Sequence, residues 1–242
     1  MAAADDLIRR ENDLHAQLIA GGKLAERSEN GLAIFRYAPG HDSYYYPERT
    51  EKHGLLLHFT TGYLSGDLAT LTPTSGHVSV AYVIGRAGRI YELYDPDFWS
   101  HHIGRQPFVS TRNYVGIELT NMGPLKEVGA QMNNWYPDGR FERRYCLASE
   151  SELYRTLQRP YRGIAHFATF TSAQYAALGA LLDRLCGRFT LPRRFLPPAT
   201  RFDLFSSPAA AQAFRGVTSH VNYIGDGKWD IGPAFDWAAI GA

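Results

Sequence analysis

Four short apolar runs in the first half of the chain constrain its fold more than any other feature. They are 54–59 (Gly54-Leu55-Leu56-Leu57-His58-Phe59), 78–84 (Val78 to Ile84), 89–94 (Arg89 to Tyr94) and 114–119 (Tyr114-Val115-Gly116-Ile117-Glu118-Leu119). Runs of this length are too short for core helices and read as strands of one sheet. Gly85-Arg86-Ala87-Gly88 joins the second and third as a short hairpin link. Two segments read as helices instead. Thr171-Ser172-Ala173-Gln174 has capping-box spacing, and Tyr175, Leu178, Leu182 and Leu185 follow it at helical intervals up to Gly187. Residues 4–20 carry Leu7, Leu14 and Leu18 on one stripe and stop at Gly21-Gly22, as a helix packed on the outside would.

Composition narrows the class of partner. With 25 basic and 24 acidic residues the formal charge is +1, so no overall field favours nucleic acid or an anionic membrane. A chain of 242 residues with 45% hydrophobic content can bury a substantial core in one domain. The start, Met1 to Arg10, carries early acids and no apolar run long enough for a signal peptide or membrane span. Synthesis in the cytoplasm without membrane insertion is the expectation. Cys146 and Cys186 have neither metal-motif spacing nor the density of a disulfide scaffold, and read as ordinary thiols. Residues 124–170 are less regular, rich in Tyr, Arg, Gly and Asn, and read as an elaboration of the same domain. Their Trp135, Tyr136, Arg140, Arg143, Arg144 and Tyr145 suit either a widened groove or ordinary surface packing.

Several polar residues are out of place. His58 interrupts a buried strand, where an unpaired ring is costly. Ser219-His220 is followed, ten residues after the histidine, by Lys228-Trp229-Asp230-Ile231-Gly232-Pro233. If that segment is extended, Lys228 and Asp230 share one face and Trp229 takes the other. Two histidines and one carboxylate form a common catalytic zinc set with its fourth position kept for water. Each residue also has a plain reading: His58 as a hydrogen-bonded core side chain, His220 as a loop cap, Lys228 and Asp230 as a surface ion pair of little energetic weight. Glu118, between Ile117 and Leu119, faces either a polar cavity or, on an edge strand, water. Gly116 lies on the same face, and its missing side chain leaves room there for a ligand.

Taken together, Leu57-His58-Phe59-Thr60, Val78 to Ile84 before a glycine turn, Gly116-Ile117-Glu118-Leu119, the Thr171 helix and Ser219-His220 with Lys228-Trp229-Asp230-Ile231-Gly232-Pro233 resemble the type-2 N-acetylmuramoyl-L-alanine amidases. That family includes phage amidase lysozymes, muropeptide amidases and peptidoglycan recognition proteins. The resemblance covers about 50–123 and 171–237. It implies an α/β fold, a single domain with a central mixed β-sheet flanked by helices, in which 1–49 form a helix and lead-in, 50–242 the amidase domain and 124–170 an insertion.

Position by position, the resemblance implies one Zn2+ held by His58, His220 and Asp230, Glu118 as the base acting on the attacking water, and Lys228 stabilising the oxyanion. Zinc chemistry agrees, since the metal polarises the amide carbonyl and lowers the pKa of water towards ~7, leaving a base and a cation to be supplied. Some relatives use a tyrosine where this chain has Val80, which leaves the base to Glu118, with Tyr82 as the fallback. Others position substrate with a histidine in a Trp-His-x-Gly piece; Trp99-Ser100-His101-His102-Ile103-Gly104 departs from it by two inserted residues and makes His102 the substrate-binding equivalent. The implied activity is hydrolysis of the amide between N-acetylmuramic acid and L-alanine of the stem peptide, on peptidoglycan or soluble muropeptides. The competing readings are a binding-only peptidoglycan module, which would lack the carboxylate or thiolate ligand, and a zinc hydrolase of another amide. Action in the cytosol or delivery to the periplasm or cell wall both suit the chain.

Overall fold

The computed structural model describes residues 3–29, 31–104, 110–136 and 144–242. Arg140 and Arg143 lie outside the described residues. The chain opens with helix α1 (Ala3–Ala20), then strands β1 (Leu24–Glu29) and β2 (Leu32–Tyr37). Next come β3 (Gly54–Phe59), helix α2 (Leu64–Leu71), β4 (Tyr82–Ile84), β5 (Ile90–Glu92) and β6 (Tyr114–Leu119). Strands β7 (Pro124–Val128), β8 (Gln131–Asn134), β9 (Arg144–Leu147), β10 (Tyr154–Tyr161) and β11 (Ile164–Ala168) follow. Helices α3 (Ser172–Phe189) and α4 (Pro208–Ala213) and strand β12 (Gly216–Ser219) complete it.

Seven strands form the central mixed sheet in the order β1-β2-β5-β4-β6-β3-β12. Its middle is parallel, with β3 flanked by β6 and β12, and β4 and β5 make the expected antiparallel hairpin. Only the last three residues of the 78–84 run join the ladder as a strand; Val78 makes an isolated bridge to His101. Parallel strands covered on both faces need continuous apolar sequence, and Leu55, Leu56, Leu57 and Ile117 are fully buried. Helix α3 has the capping box expected of Thr171 and Gln174, and buries Leu178, Leu181, Leu182 and Leu185 in the main core. Helix α1 buries Leu7, and its Glu11 accepts hydrogen bonds from the amides of Arg86 and Ala87 at 2.9 Å each. The N-terminal helix thereby caps the β4–β5 turn. The stretch read as a lead-in contributes β1 and β2 to the central sheet. Cys146 and Cys186 are free, buried thiols.

Residues 124–168, which look irregular in sequence, form a second, wholly antiparallel sheet in the order β10-β11-β7-β8-β9. It packs through two small clusters. Leu125, Met132, Tyr145, Cys146 and Leu153 meet Leu7 of α1. On the other side Ile164 and Phe167 meet Ala234 and Trp229. Among the described residues no helix is long and apolar enough to cross a membrane.

Candidate active site

The parallel register sets the site. His58 near the end of β3 lies directly opposite Glu118 on β6, so both side chains leave the same face of the sheet. On the other flank β12 pairs with β3 up to Ser219 and Leu57, and the chain then turns into a single 3-10 turn, His220–Asn222. The Asn222 side chain accepts from the Ser219 amide at 2.9 Å and fixes that turn. His220 is thereby brought beside His58. The segment after it returns Asp230 to the same point, with the Val221 amide donating to the Asp230 carbonyl at 2.8 Å.

The three side chains converge. His58 Nδ1 lies 3.0 Å from His220 Nδ1 and 3.0 Å from Asp230 Oδ2, and His220 Nδ1 is 2.9 Å from the same oxygen. The opposite ring nitrogens are occupied elsewhere. His58 Nε2 meets His102 Nδ1 at 3.1 Å, and His220 Nε2 donates to the Ile103 carbonyl at 3.1 Å. This network assigns the ring protons to the outer nitrogens and turns both Nδ1 lone pairs, with the Asp230 carboxylate, towards one point. A tetrahedral zinc with bonds of about 2.0–2.1 Å sets its ligand atoms about 3.3 Å apart. The residues fit such an ion. Burial pushes His58 down to about 4 against the pull of Asp230, keeping the ring neutral, as metal ligation requires. Burial works to raise the Asp230 carboxyl, but His220 and His58 overcome it and hold the group far below the ordinary carboxylate range.

A pocket of about 180 Å³ opens over this cluster, lined by Glu118, Lys228, His101 and Tyr136 among others. Burial raises the Glu118 carboxyl well above its ordinary value; the charges of Asp230 and Asp67 add to this and Lys228 offsets it. Its Oε2 is buried without a hydrogen-bond partner among the described residues. Lys228 and Asp230 line the same pocket while Trp229 packs against Ile164 and Phe167, the alternation an extended segment predicts, although these residues join no ladder. A larger cleft of about 620 Å³ lies at Arg194, Phe205 and Phe214 and contains none of these residues.

Two expectations change, those for Gly116 and for Tyr82. The space above Gly116 is filled: a Cβ there would come within 2.8 Å of Val80 and 3.1 Å of His102, so the glycine admits His102 rather than a ligand. His102 lies beside His58 with its Nε2 on the Tyr114 carbonyl at 3.4 Å, which orients the ring, and it also lines the pocket over the cluster. Tyr82 is fully buried and donates to Glu92 at 3.0 Å, on a different network from the pocket. Tyr136, two residues past β8, is the tyrosine that lines it among the described residues. Its ring meets Trp229 edge-on at 6.0 Å, and its amide is held by Asn134 at 2.9 Å.

The chain is similar to several known proteins. The AmiD amidase from E. coli, solved with anhydro-N-acetylmuramic acid-L-Ala-D-gamma-Glu-L-Lys, superposes with a TM-score of 0.50 at 19% identity, covering 89% of this chain and 64% of that one. An AmpD crystal structure gives a TM-score of 0.46 at 20% identity over 85% of this chain and 90% of that one. AmpDh3 from Pseudomonas aeruginosa, solved with an anhydromuramic pentapeptide, gives 0.46 at 18% identity over 80% and 60%. The chain thus spans less than two thirds of the length of AmiD and AmpDh3. At such identities the AmiD likeness speaks for the fold. No curated protein matches the sequence significantly. The profile of one family, described as N-acetylmuramoyl-L-alanine amidase, matches residues 48–233, a span that holds both histidines, Glu118, Lys228 and Asp230. This chain belongs to the N-acetylmuramoyl-L-alanine amidase family and is an enzyme of that class.

Proposed function

We propose that the protein is a zinc-dependent peptidoglycan amidase that cleaves the amide between the lactyl group of N-acetylmuramic acid and L-alanine of the stem peptide. The observation that carries the reading is the ~3 Å triangle of His58 Nδ1, His220 Nδ1 and Asp230 Oδ2 beneath a pocket that also holds Glu118 and Lys228. His58, His220 and Asp230 would hold the zinc, which when bound supplies Lewis-acid polarisation and an acidified water. Glu118, whose carboxyl burial raises above its ordinary value, takes the proton of the attacking water at its carboxylate and returns it to the leaving alanine nitrogen. Lys228 faces the negative charge that develops on the carbonyl oxygen. The AmiD structure holds a substrate of this class, anhydro-N-acetylmuramic acid-L-Ala-D-gamma-Glu-L-Lys, which supports muropeptides or peptidoglycan here.

Digestion of intact sacculi and of soluble muropeptides, followed by mass spectrometry, tests the reading. The expected product is free stem peptide with a new L-alanine amino terminus and no new reducing sugar ends. Chelation should abolish this activity and one equivalent of zinc restore it. New reducing ends, or binding without cleavage by the zinc-loaded protein, would overturn the proposal.

A further inference from the structure

The segment from His220 to Asp230 carries two of the proposed ligands and the cation, yet most of it belongs to no helix or strand. Among the described residues, 225–229 make no backbone–backbone hydrogen bond. Outside any ladder, and exposed at Asp226 to Lys228, this backbone is fixed in place only by side-chain contacts or by solvent.

The holder comes from the second sheet. Strands β10 and β11 are joined by Arg162-Gly163, with Tyr161 paired to Ile164. Both turn residues have positive φ, 49° and 81°, the geometry of a tight type I′ hairpin. The turn projects the Arg162 guanidinium onto the segment. Its Nη1 donates to the carbonyls of Ile224 at 2.8 Å and Lys228 at 2.7 Å, and its Nη2 to that of Val221 at 3.1 Å. In return, Trp229 Nε1 donates to the Arg162 carbonyl at 3.4 Å. The guanidinium also sits 5.2 Å from the Tyr161 ring, whose hydroxyl donates to the Phe202 carbonyl at 2.8 Å. Val221 adjoins His220, and one of the three acceptors is the backbone of Lys228 itself. A planar fork with five donors can serve three separated carbonyls; a single ammonium serves them poorly.

We infer that Arg162 is a positioning residue of the active site: from the tip of the second sheet it holds the backbone of 221–228 so that His220 and Asp230 meet His58 and Lys228 faces the pocket. The insertion is therefore part of the working site. This inference rests on the ligand set proposed above.

Titration of the metal-free full-length protein with Co2+, read by its visible absorption, tests it without substrate. Arg162→Ala should weaken Co2+ binding about 10- to 100-fold, the usual cost of losing a group that orients ligands, and change the absorption band. Arg162→Lys should fall between this variant and the parent, and decides the matter if Arg162→Ala does not fold. With zinc-loaded protein, kcat should fall while KM stays within about threefold, since the displaced groups act on the transition state. A folded variant that melts at lower temperature but keeps parental cobalt affinity, spectrum and kcat within twofold overturns the assignment and leaves Arg162 a structural brace. A parent that binds no cobalt defeats the ligand set, and this inference with it.

Discussion

The site has a strand-borne half and a loop-borne half, and they are held by different physics. His58 and Glu118 face each other across neighbouring parallel strands, where slipping the register by one residue would turn both side chains to the wrong face. Their relative position is fixed by a whole ladder and cannot be tuned by one contact. Lys228 and Asp230 arrive on a segment tied by a few side-chain bonds, chiefly those of Arg162, each with an energy of about 1.5–3 kcal/mol for a charged donor. Precision there is built from separable parts. Mutations in what supports each half, as distinct from the proposed ligands themselves, should therefore act all at once in the first half and by degrees in the second.

The largest effects test whether the halves truly share one metal. Replacing His58, His220 or Asp230 by Ala should empty the site and abolish turnover together, since two histidines and a carboxylate leave no spare ligand. Elemental analysis should find about one zinc in the parent, by that coordination chemistry, and a small fraction of it in each variant. Full occupancy in all three would break the comparison at its root.

Next come the two groups that act on substrate, one from each half. Glu118→Gln keeps size and shape but removes the base, and should cost on the order of 10²–10⁴ in kcat with zinc retained. Lys228→Ala should cost on the order of 10²–10³, the scale for one oxyanion partner, with kcat depressed more than KM is raised. Near-normal turnover in Glu118→Gln would move the base elsewhere, with Tyr136 the tyrosine that lines the pocket. An unchanged kcat in Lys228→Ala would reduce that residue to a surface charge.

The two halves also differ in how far the sequence reveals them. His58 and Glu118 are conspicuous because a polar residue inside an apolar parallel strand is out of place, and the Thr171 capping box marks α3 by local chemistry alone. Alternation is enough to place Lys228 and Asp230 on one face. Their support is invisible in the sequence, because Arg162 is distant along the chain from the carbonyls it binds. Strand β10 is exposed at most positions on both faces, so it lacks the alternation that identifies a half-buried strand. Strand β12 is fully buried but only four residues long, too short to show a period. The β1–β2 hairpin has a usable signal, Asn30-Gly31 between two runs, which the polar content of Leu24–Glu29 masks. The role of Gly116 needs the structure, since only there does His102 fill the space above it.

The smallest expected effect concerns the support behind the strand-borne half. Asp67 on α2 is buried, and its Oδ2 accepts from Thr120 Oγ1 at 2.7 Å, just past the end of β6. Burial lifts its carboxyl to about 7, with Thr120 and Thr60 pulling the other way. An unfolded aspartate titrates near ~3.9. Between these values the folded chain holds a proton that the unfolded chain has lost, so the stabilising contribution is complete below about pH 4 and disappears as pH rises to about 7. Asp67→Asn cannot ionise, and the amide oxygen can still accept from Thr120. The variant should therefore lose part of the decline in stability between pH 4 and 7, and gain more over the parent at pH 8 than at pH 4. The gain is a few kcal/mol at most, since each tenfold difference in proton affinity between the folded and unfolded chain is worth about 1.4 kcal/mol. Denaturant melts of both proteins, metal-free, at closely spaced pH values measure that difference. Parallel curves would assign the slope to other groups, and would mean that the ladder positions His58 and Glu118 without a titratable support beneath it.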